Sequence, residues 1–361
     1  MAEPHKASFF PLWSLCIPVL AWLLLGTHAA LGFHGLALIL LLLALSGTVF
    51  SAVHYAEVVA HKVGEPFGTL VLAVAVTIIE VAMIVSMLLT KGNQNLAVAR
   101  DTIFSVVMIV CAGLVGLCIT VGAWKRGVQV FNIKGSAGAL GAIMALTALT
   151  MILPVFTSLP QDAFRPSQLI FIGAVSLALY ASFVFVQTVR HRDYFLPEND
   201  DETSHNTPPT TKQTFQALGV LFACLVAVVL LAKSLSPTVE ILVFMAGMPK
   251  PVVGLVIAGF VLLPEGMAAI RAARQNKLQI SINLAYGSVI ASIGLTIPVV
   301  AFTSVAINKT LILGLNPKDI VLLTLTILLN IITILTGRTN ILQGCILLIV
   351  FASFIFFSMV P

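Results

Sequence analysis

Charge is what this sequence has least of. Acidic and basic residues fill 9% of its 361 positions, against a usual share of about a quarter, and hydrophobic residues fill 59%. That shortage excludes a soluble globular domain, which could not hide so much apolar surface from water. The chain reads as an all-α polytopic membrane protein, to which soluble length-to-domain reckoning does not apply. Its 19 basic residues are scattered singly, so the net charge of +5 is no nucleic-acid footprint. There is no HExxH, no carbonyl-rich TVGYG-like loop and no series of alternating ten-residue segments. Those absences count against a zinc-dependent intramembrane enzyme, a channel filter and a β-barrel, in that order. The deep serines have no paired base in view, which disfavours a nucleophilic enzyme as well. The reading is therefore of a protein that is not an enzyme. Cys16, Cys111, Cys118, Cys224 and Cys345 sit in apolar runs without ligand-like spacing and read as small hydrophobic fillers.

What the chain has instead is apolar length. Windows long enough to span a bilayer core lie at about 11–31, 35–58, 67–90, 102–124, 137–159, 168–189, 214–233, 251–273, 280–306, 319–338 and 340–360. They predict eleven transmembrane helices. The first follows a short MAEPHK head with no small-residue cleavage site, and reads as a retained helix rather than a signal peptide. Twelve basic residues fall on the N-terminal side of the loops and seven, Lys233 among them, on the other. That bias predicts a cytoplasmic N-terminus and an external C-terminus. The one plainly polar stretch, RHRDYFLPENDDETSHNTPPTTKQ at 190–213, carries Glu198, Asp200, Asp201 and Glu202. It has no core to bury and reads as a linker or short surface helix.

Two of the scarce acids stand where charge is least tolerated. Pro66 opens an apolar run that reaches Glu80 fourteen residues on, and Pro251 opens another that reaches Glu265 at the same spacing. Fourteen helical residues cover about 21 Å, well inside a hydrocarbon core about 30 Å thick. An ionisable group at that depth is a functional-site hypothesis by default. A shift of 185 residues lays Pro251 on Pro66 and Glu265 on Glu80. After a loop shorter by three residues, NLAYGSVI (283–290) falls on DTIFSVVM (101–108), setting Asp101 against Asn283 and Ser105 beside Gly287 and Ser288. A five-helix unit repeated in series enters the membrane inverted the second time, because five is odd. Inverted repeats with a site at their interface are a transporter architecture. The expected divisions are an extra N-terminal helix (1–33), a first five-helix repeat (34–190), an acidic cytoplasmic linker (191–213) and a second repeat (214–361).

HYAEVVAHKVGEPFGT (54–69), the acidic linker, LLPEGMAAIRAARQNK (262–277) and NLAYGSVIASIGLTIPVV (283–300) together carry a family likeness. They resemble the bacterial calcium/proton and sodium–potassium/proton antiporters of the calcium/cation antiporter superfamily, over nearly the whole chain. The resemblance implies two inverted five-helix repeats plus one extra helix, in a bacterial inner membrane. It also implies one glutamate per repeat that binds the cation and exchanges protons, which maps onto Glu80 and Glu265. In the better-known branch those glutamates end a Gly-Asn-x-x-Glu motif, whereas VTII precedes Glu80 here and VLLP precedes Glu265. The Gly-Ser-x-x-Gln of that branch reads Gly287-Ser288-Val289-Ile290-Ala291. Without those amide oxygens the site is poorer in ligands than a tight calcium site, which leaves room for sodium or potassium.

The expected function is thus export of Ca²⁺, Na⁺ or K⁺ in exchange for protons, with no cofactor beyond the transported cation. Cations, protons and membrane lipids are the expected partners. An ion channel and an intramembrane enzyme are the alternatives. Low dielectric disfavours the charged form of a carboxyl, and two bare carboxylates about 4 Å apart repel by roughly 4 kcal/mol at an effective dielectric of ~20. Such a pair is stable only when protonated or occupied by a cation. Pro264 either frees a backbone carbonyl or simply kinks its helix. Thr77, one turn before Glu80, lends a hydroxyl or bonds back to its own helix. Asp101 and Asn283 complete the coordination or cap helix starts. Ser105 and Ser288, deeper in, are ligands or small packing residues. His54, Glu57 and His61, at i, i+3 and i+7, form a cytoplasmic vestibule, a metal site or a polar interfacial face.

Overall fold

The computed structural model describes residues 10–31, 36–63, 67–89, 97–157, 164–191, 194, 209–249 and 251–360. They form eleven helical rods, one for each apolar window. In chain order these are α1 (Leu12–Leu31), α2 (Leu36–Val63), α3 (Phe67–Leu89), α4 (98–126), α5 (133–157) and α6 (166–190). They continue as α7 (Thr211–Met245), α8 (Pro251–Arg274), α9 (Leu278–Ala306), α10 (Pro317–Leu335) and α11 (Ile341–Met359). Among the described residues nine helices are long and apolar enough to cross a membrane, and α1 and α3 contribute the shorter apolar stretches Leu12–Gly26 and Ala73–Leu89. Hydrocarbon offers the backbone no hydrogen bonds, so each rod satisfies its own peptide groups.

The rod ends follow from local chemistry. Pro166, Pro251 and Pro317 are the first residues of α6, α8 and α10, where a missing N–H does no harm. Asn340 Oδ1 accepts from the Leu342 and Gln343 N–H groups at 3.0 and 3.4 Å, and Gln343 Oε1 accepts from the Asn340 N–H at 3.0 Å. That reciprocal box starts α11. Gly337, at φ +61°, turns the chain out of α10 into β2 (Arg338–Thr339), which pairs antiparallel with β1 (Gln129–Val130). Among the described residues three rods contain a π-helical turn: Ile109–Leu114 in α4, Ala148–Ile152 in α5 and Val186–Arg190 in α6. Such turns release carbonyls from the ordinary ladder. Two are taken up by neighbours: Cys111 C=O accepts from Asn330 Nδ2 at 3.0 Å, and Met151 C=O accepts from the Leu315 N–H at 3.1 Å.

The chain divides into two compact units. One joins Met1–Ile79 to Glu202–Thr238. Within it, Pro18 inside α1 has no N–H for the Ser14 carbonyl, which instead accepts the Ser51 hydroxyl of α2 at 2.6 Å. Ser51 Oγ also lies 3.6 Å from the Cys224 sulfur of α7. The other unit joins Glu80–Asp201 to Val239–Pro361. There α8 crosses α4 with almost nothing between them, since a Cβ on Gly254 would come within 2.8 Å of the Asp101 and Thr102 backbone.

Two boundaries run five or more residues past the apolar windows. α7 runs to Met245 rather than stopping at 233, because the apolar ILVF after Glu240 continues it. Lys233, counted above in an external loop, therefore lies inside a helix. α2 reaches Val63, which puts His54, Glu57 and His61 on a formed helix. Pro66, Lys91, Lys250, the MAEPHK head and the acidic cluster Glu198, Asp200, Asp201 and Glu202 lie outside the described residues.

Candidate functional site

In the second unit the part of α3 from Glu80 onward, α8 and α9 converge on two acids. Glu80 of α3 and Glu265 of α8 are 2% and 9% exposed. α9 supplies a hydroxyl to each. Ser288 donates to Glu265 Oε2, and Ser292 Oγ donates to Glu80, lying 2.5 Å from both carboxyl oxygens. The two serines are four residues apart, so they share a face of α9 about 6 Å apart along its axis. Carboxyls from two different helices are thus held on successive turns of a third. Bare charges about 6 Å apart at an effective dielectric of ~20 repel by about 3 kcal/mol. A proton on one carboxyl, or a cation between the two, removes that repulsion. The serine oxygens keep lone pairs that a cation can use.

Most helical hydroxyls here turn back on their own backbone instead. Thr77 donates to Ala73 C=O at 2.8 Å, Ser105 to Asp101 C=O at 2.7 Å and Thr120 to Gly116 C=O at 2.8 Å. Asp101, in the first turn of α4, pairs with Arg100, whose Nε and Nη2 both lie 2.8 Å from Oδ1. Arg100 Nη1 also donates to Gly314 C=O at 3.0 Å. Asn283 Oδ1 accepts from Gln279 Nε2 at 2.9 Å. Pro264 is buried within α8 beside Glu265 and leaves the Phe260 carbonyl without its helical donor. Of the residues singled out from the sequence, Glu80, Glu265 and Ser288 come together, with Pro264 adjacent. Thr77, Ser105, Asp101 and Asn283 make the bonds just described.

His54 is half-buried, with its ring centroid 5.4 Å from those of Trp13 and Tyr55, while Glu57 and His61 are exposed on α2. Among the described residues no group of three or more His, Cys, Asp or Glu side chains could hold a metal ion. The oxygens gathered at Glu80 and Glu265 are those of two carboxyls and two hydroxyls.

Ser292 escapes the sequence reading. Ala291 stands where the Gly-Ser-x-x-Gln pattern has its glutamine, and the GSVIAS string places a second hydroxyl one full turn after Ser288. Two residues before Ser288 on α9, Tyr286 is buried as well. Tyr286 donates its hydroxyl to Asn330 Oδ1 at 2.7 Å, and Asn330 Nδ2 donates to Thr326 C=O at 2.7 Å and to Cys111 C=O in the π turn of α4. This buried, fully bonded network fixes the rotation of α9 about its own axis.

The sodium/calcium exchanger protein family matches residues 32–189 and 216–360 of this chain. The protein y4hA of Sinorhizobium fredii, named for ionic transport, is 44% identical over 361 residues, covering 99% of this chain and 98% of that one. The sodium-potassium/proton antiporter ChaA of Escherichia coli is 33% identical over 350 residues, covering 95% and 94%. The solved structure of native YfkE matches with a TM-score of 0.74 over 96% of this chain and 100% of that one; at 18% identity this is a likeness of fold.

Proposed function

The chain belongs to the sodium/calcium exchanger family, and we propose that it is a secondary antiporter exporting Na⁺, K⁺ or Ca²⁺ in exchange for protons. The observation that carries this is the burial of Glu80 and Glu265 on successive turns of α9, each held by its own serine. A pair of carboxyls in that setting tolerates protons or a cation, but not neither. Competition between those two occupants is exchange at the level of the site. Glu80 and Glu265 bind the cation and the proton, Ser288 and Ser292 orient them, and the Phe260 carbonyl freed by Pro264 is an accessory oxygen.

The short oxygen inventory counts against tight Ca²⁺ binding, which takes six to eight oxygens, and leaves room for Na⁺ or K⁺. The name of the Escherichia coli relative agrees with that reading. The protein sits in the bacterial inner membrane with its N-terminus cytoplasmic and its C-terminus external. Residues 34–190 and 214–361 form the two inverted repeats, with 191–213 as the cytoplasmic linker and α1 as the extra helix. Alternating access follows from one group of helices moving against the rest around the glutamate pair.

The test is proton movement in everted vesicles, followed by a fluorescent probe and challenged with Na⁺, K⁺ and Ca²⁺ across pH. Cation-dependent proton movement is expected in the wild type and none in Glu80→Gln or Glu265→Gln. Full exchange by either variant would sink the assignment. Current without proton coupling in a planar bilayer would put a channel in its place.

A further inference from the structure

We infer that Thr296 is the next cation ligand after the glutamate pair, on the side toward the C-terminal end of α9. The inference rests on the antiport reading and extends the path by one residue. Ser288, Ser292 and Thr296 are spaced four apart. Each step turns about 40° around the helix and climbs about 6 Å, so the three hydroxyls form one slowly winding row. The first two rungs hold Glu265 and Glu80. The third is 0% exposed, and its Oγ1 has no hydrogen-bond partner.

Among the described buried helical threonines, only Thr102 of α4 shares that vacancy. The usual pattern is donation to the carbonyl four residues back: Thr48 to Ala44 at 2.6 Å, Thr147 to Ile143 at 2.8 Å, Thr150 to Leu146 at 2.7 Å and Thr326 to Leu322 at 2.8 Å. The same bond from Thr296 would go to the Ser292 carbonyl, and it is not made. Valine has nearly the same shape and would fill the position without leaving a polar atom unpaired. What the hydroxyl adds is an oxygen ligand, one rung beyond Glu80.

The occupant is a cation by the company Thr296 keeps. Two carboxyls lie on the preceding rungs, and negative charge there repels anions and draws cations along the row. A neutral hydroxyl supplies an oxygen without adding a third charge. It lets a partly dehydrated Na⁺ or K⁺ step off the glutamates, where another carboxylate would trap it.

The experiment compares wild type, Thr296→Val and Thr296→Ser by vesicle exchange and by thermal unfolding of the purified full chain in detergent, with and without NaCl, KCl and CaCl₂. The Thr296→Val variant is expected to unfold at or above the wild-type temperature, since it loses no internal partner. Its apparent KM for Na⁺ or K⁺ rises about tenfold, and its stabilisation by the same cation shrinks. Thr296→Ser stays near wild type on both readouts. An unchanged KM and an unchanged cation-induced shift in Thr296→Val would overturn the inference. So would a lower unfolding temperature with normal exchange, which would mean that the hydroxyl holds a structural water. Failure of the antiport reading shows separately, as wild-type vesicles without cation-dependent proton movement.

Discussion

Ser288 and Ser292 stand one turn apart on α9, and each donates its hydroxyl to a glutamate from a different helix. Hydrogen bonds to charged groups are worth about 1.5–3 kcal/mol, which corresponds to roughly ten- to hundredfold in binding. Ser288→Ala and Ser292→Ala are each expected to raise the apparent KM for the cation by that factor while leaving some exchange. Initial rates of proton movement in vesicles, at graded NaCl or KCl, measure it. Wild-type kinetics in Ser292→Ala would mean that the hydroxyl is idle.

The bridge from Tyr286 through Asn330 to the Cys111 carbonyl makes a stability prediction. Asn330→Ala strands the tyrosine hydroxyl and the π-turn carbonyl in a dry interior, at about 1–3 kcal/mol for each group. Its unfolding temperature in detergent should fall clearly. A Tyr286→Phe/Asn330→Leu double variant removes both side-chain partners and should lose less than the two single changes combined.

Arg100 and Asp101 form a largely covered ion pair, with side chains 11% and 13% exposed. Removing one member of a buried pair typically costs about 3–5 kcal/mol, because the other charge stays behind. Arg100→Met should therefore destabilise strongly, and adding Asp101→Asn should restore part of the loss. Recovery stays incomplete because Arg100 also holds the Gly314 carbonyl. Thermal unfolding of the three variants gives the coupling, and strict additivity would rule it out.

Gly254 admits no larger residue without movement of backbone, since the atoms facing it belong to the main chain of Asp101 and Thr102. Gly254→Ala should cost about 1–3 kcal/mol as overpacking, and Gly254→Val more. Both show as lowered unfolding temperature. Exchange should fall in parallel, because displacing α8 displaces Glu265.

The rods are legible in the sequence because a bilayer demands about twenty apolar residues per crossing. Glu80 and Glu265 are legible because acids are so scarce. The serines are only half so. Linear register sets Ser105 beside Ser288 and drops Ser292 onto Val110, which suggests matched contributions from α4 and α9. In the structure Ser105 bonds its own helix, Val110 falls in a π turn, and α9 serves both glutamates. A π turn changes helical phase without leaving a mark in hydropathy. The stretch after α9 is hidden for a similar reason. It falls between the apolar windows at 280–306 and 319–338, yet Leu311, Leu313 and Leu315 are buried in it. Lys309 Nζ fastens the same stretch to the Leu88 carbonyl at 2.7 Å, through a partner distant in sequence.

The contact at Gly254 also has a mechanical meaning. With little more than backbone meeting backbone there, any tilt of α8 against α4 would pivot on that contact. Glu265 lies eleven residues further along, a lever arm of about 16 Å. A tilt of only about 5° swings the far end by roughly 1.4 Å, about half the length of a hydrogen bond. That is enough to part Glu265 from Ser288 while the pivot itself scarcely moves.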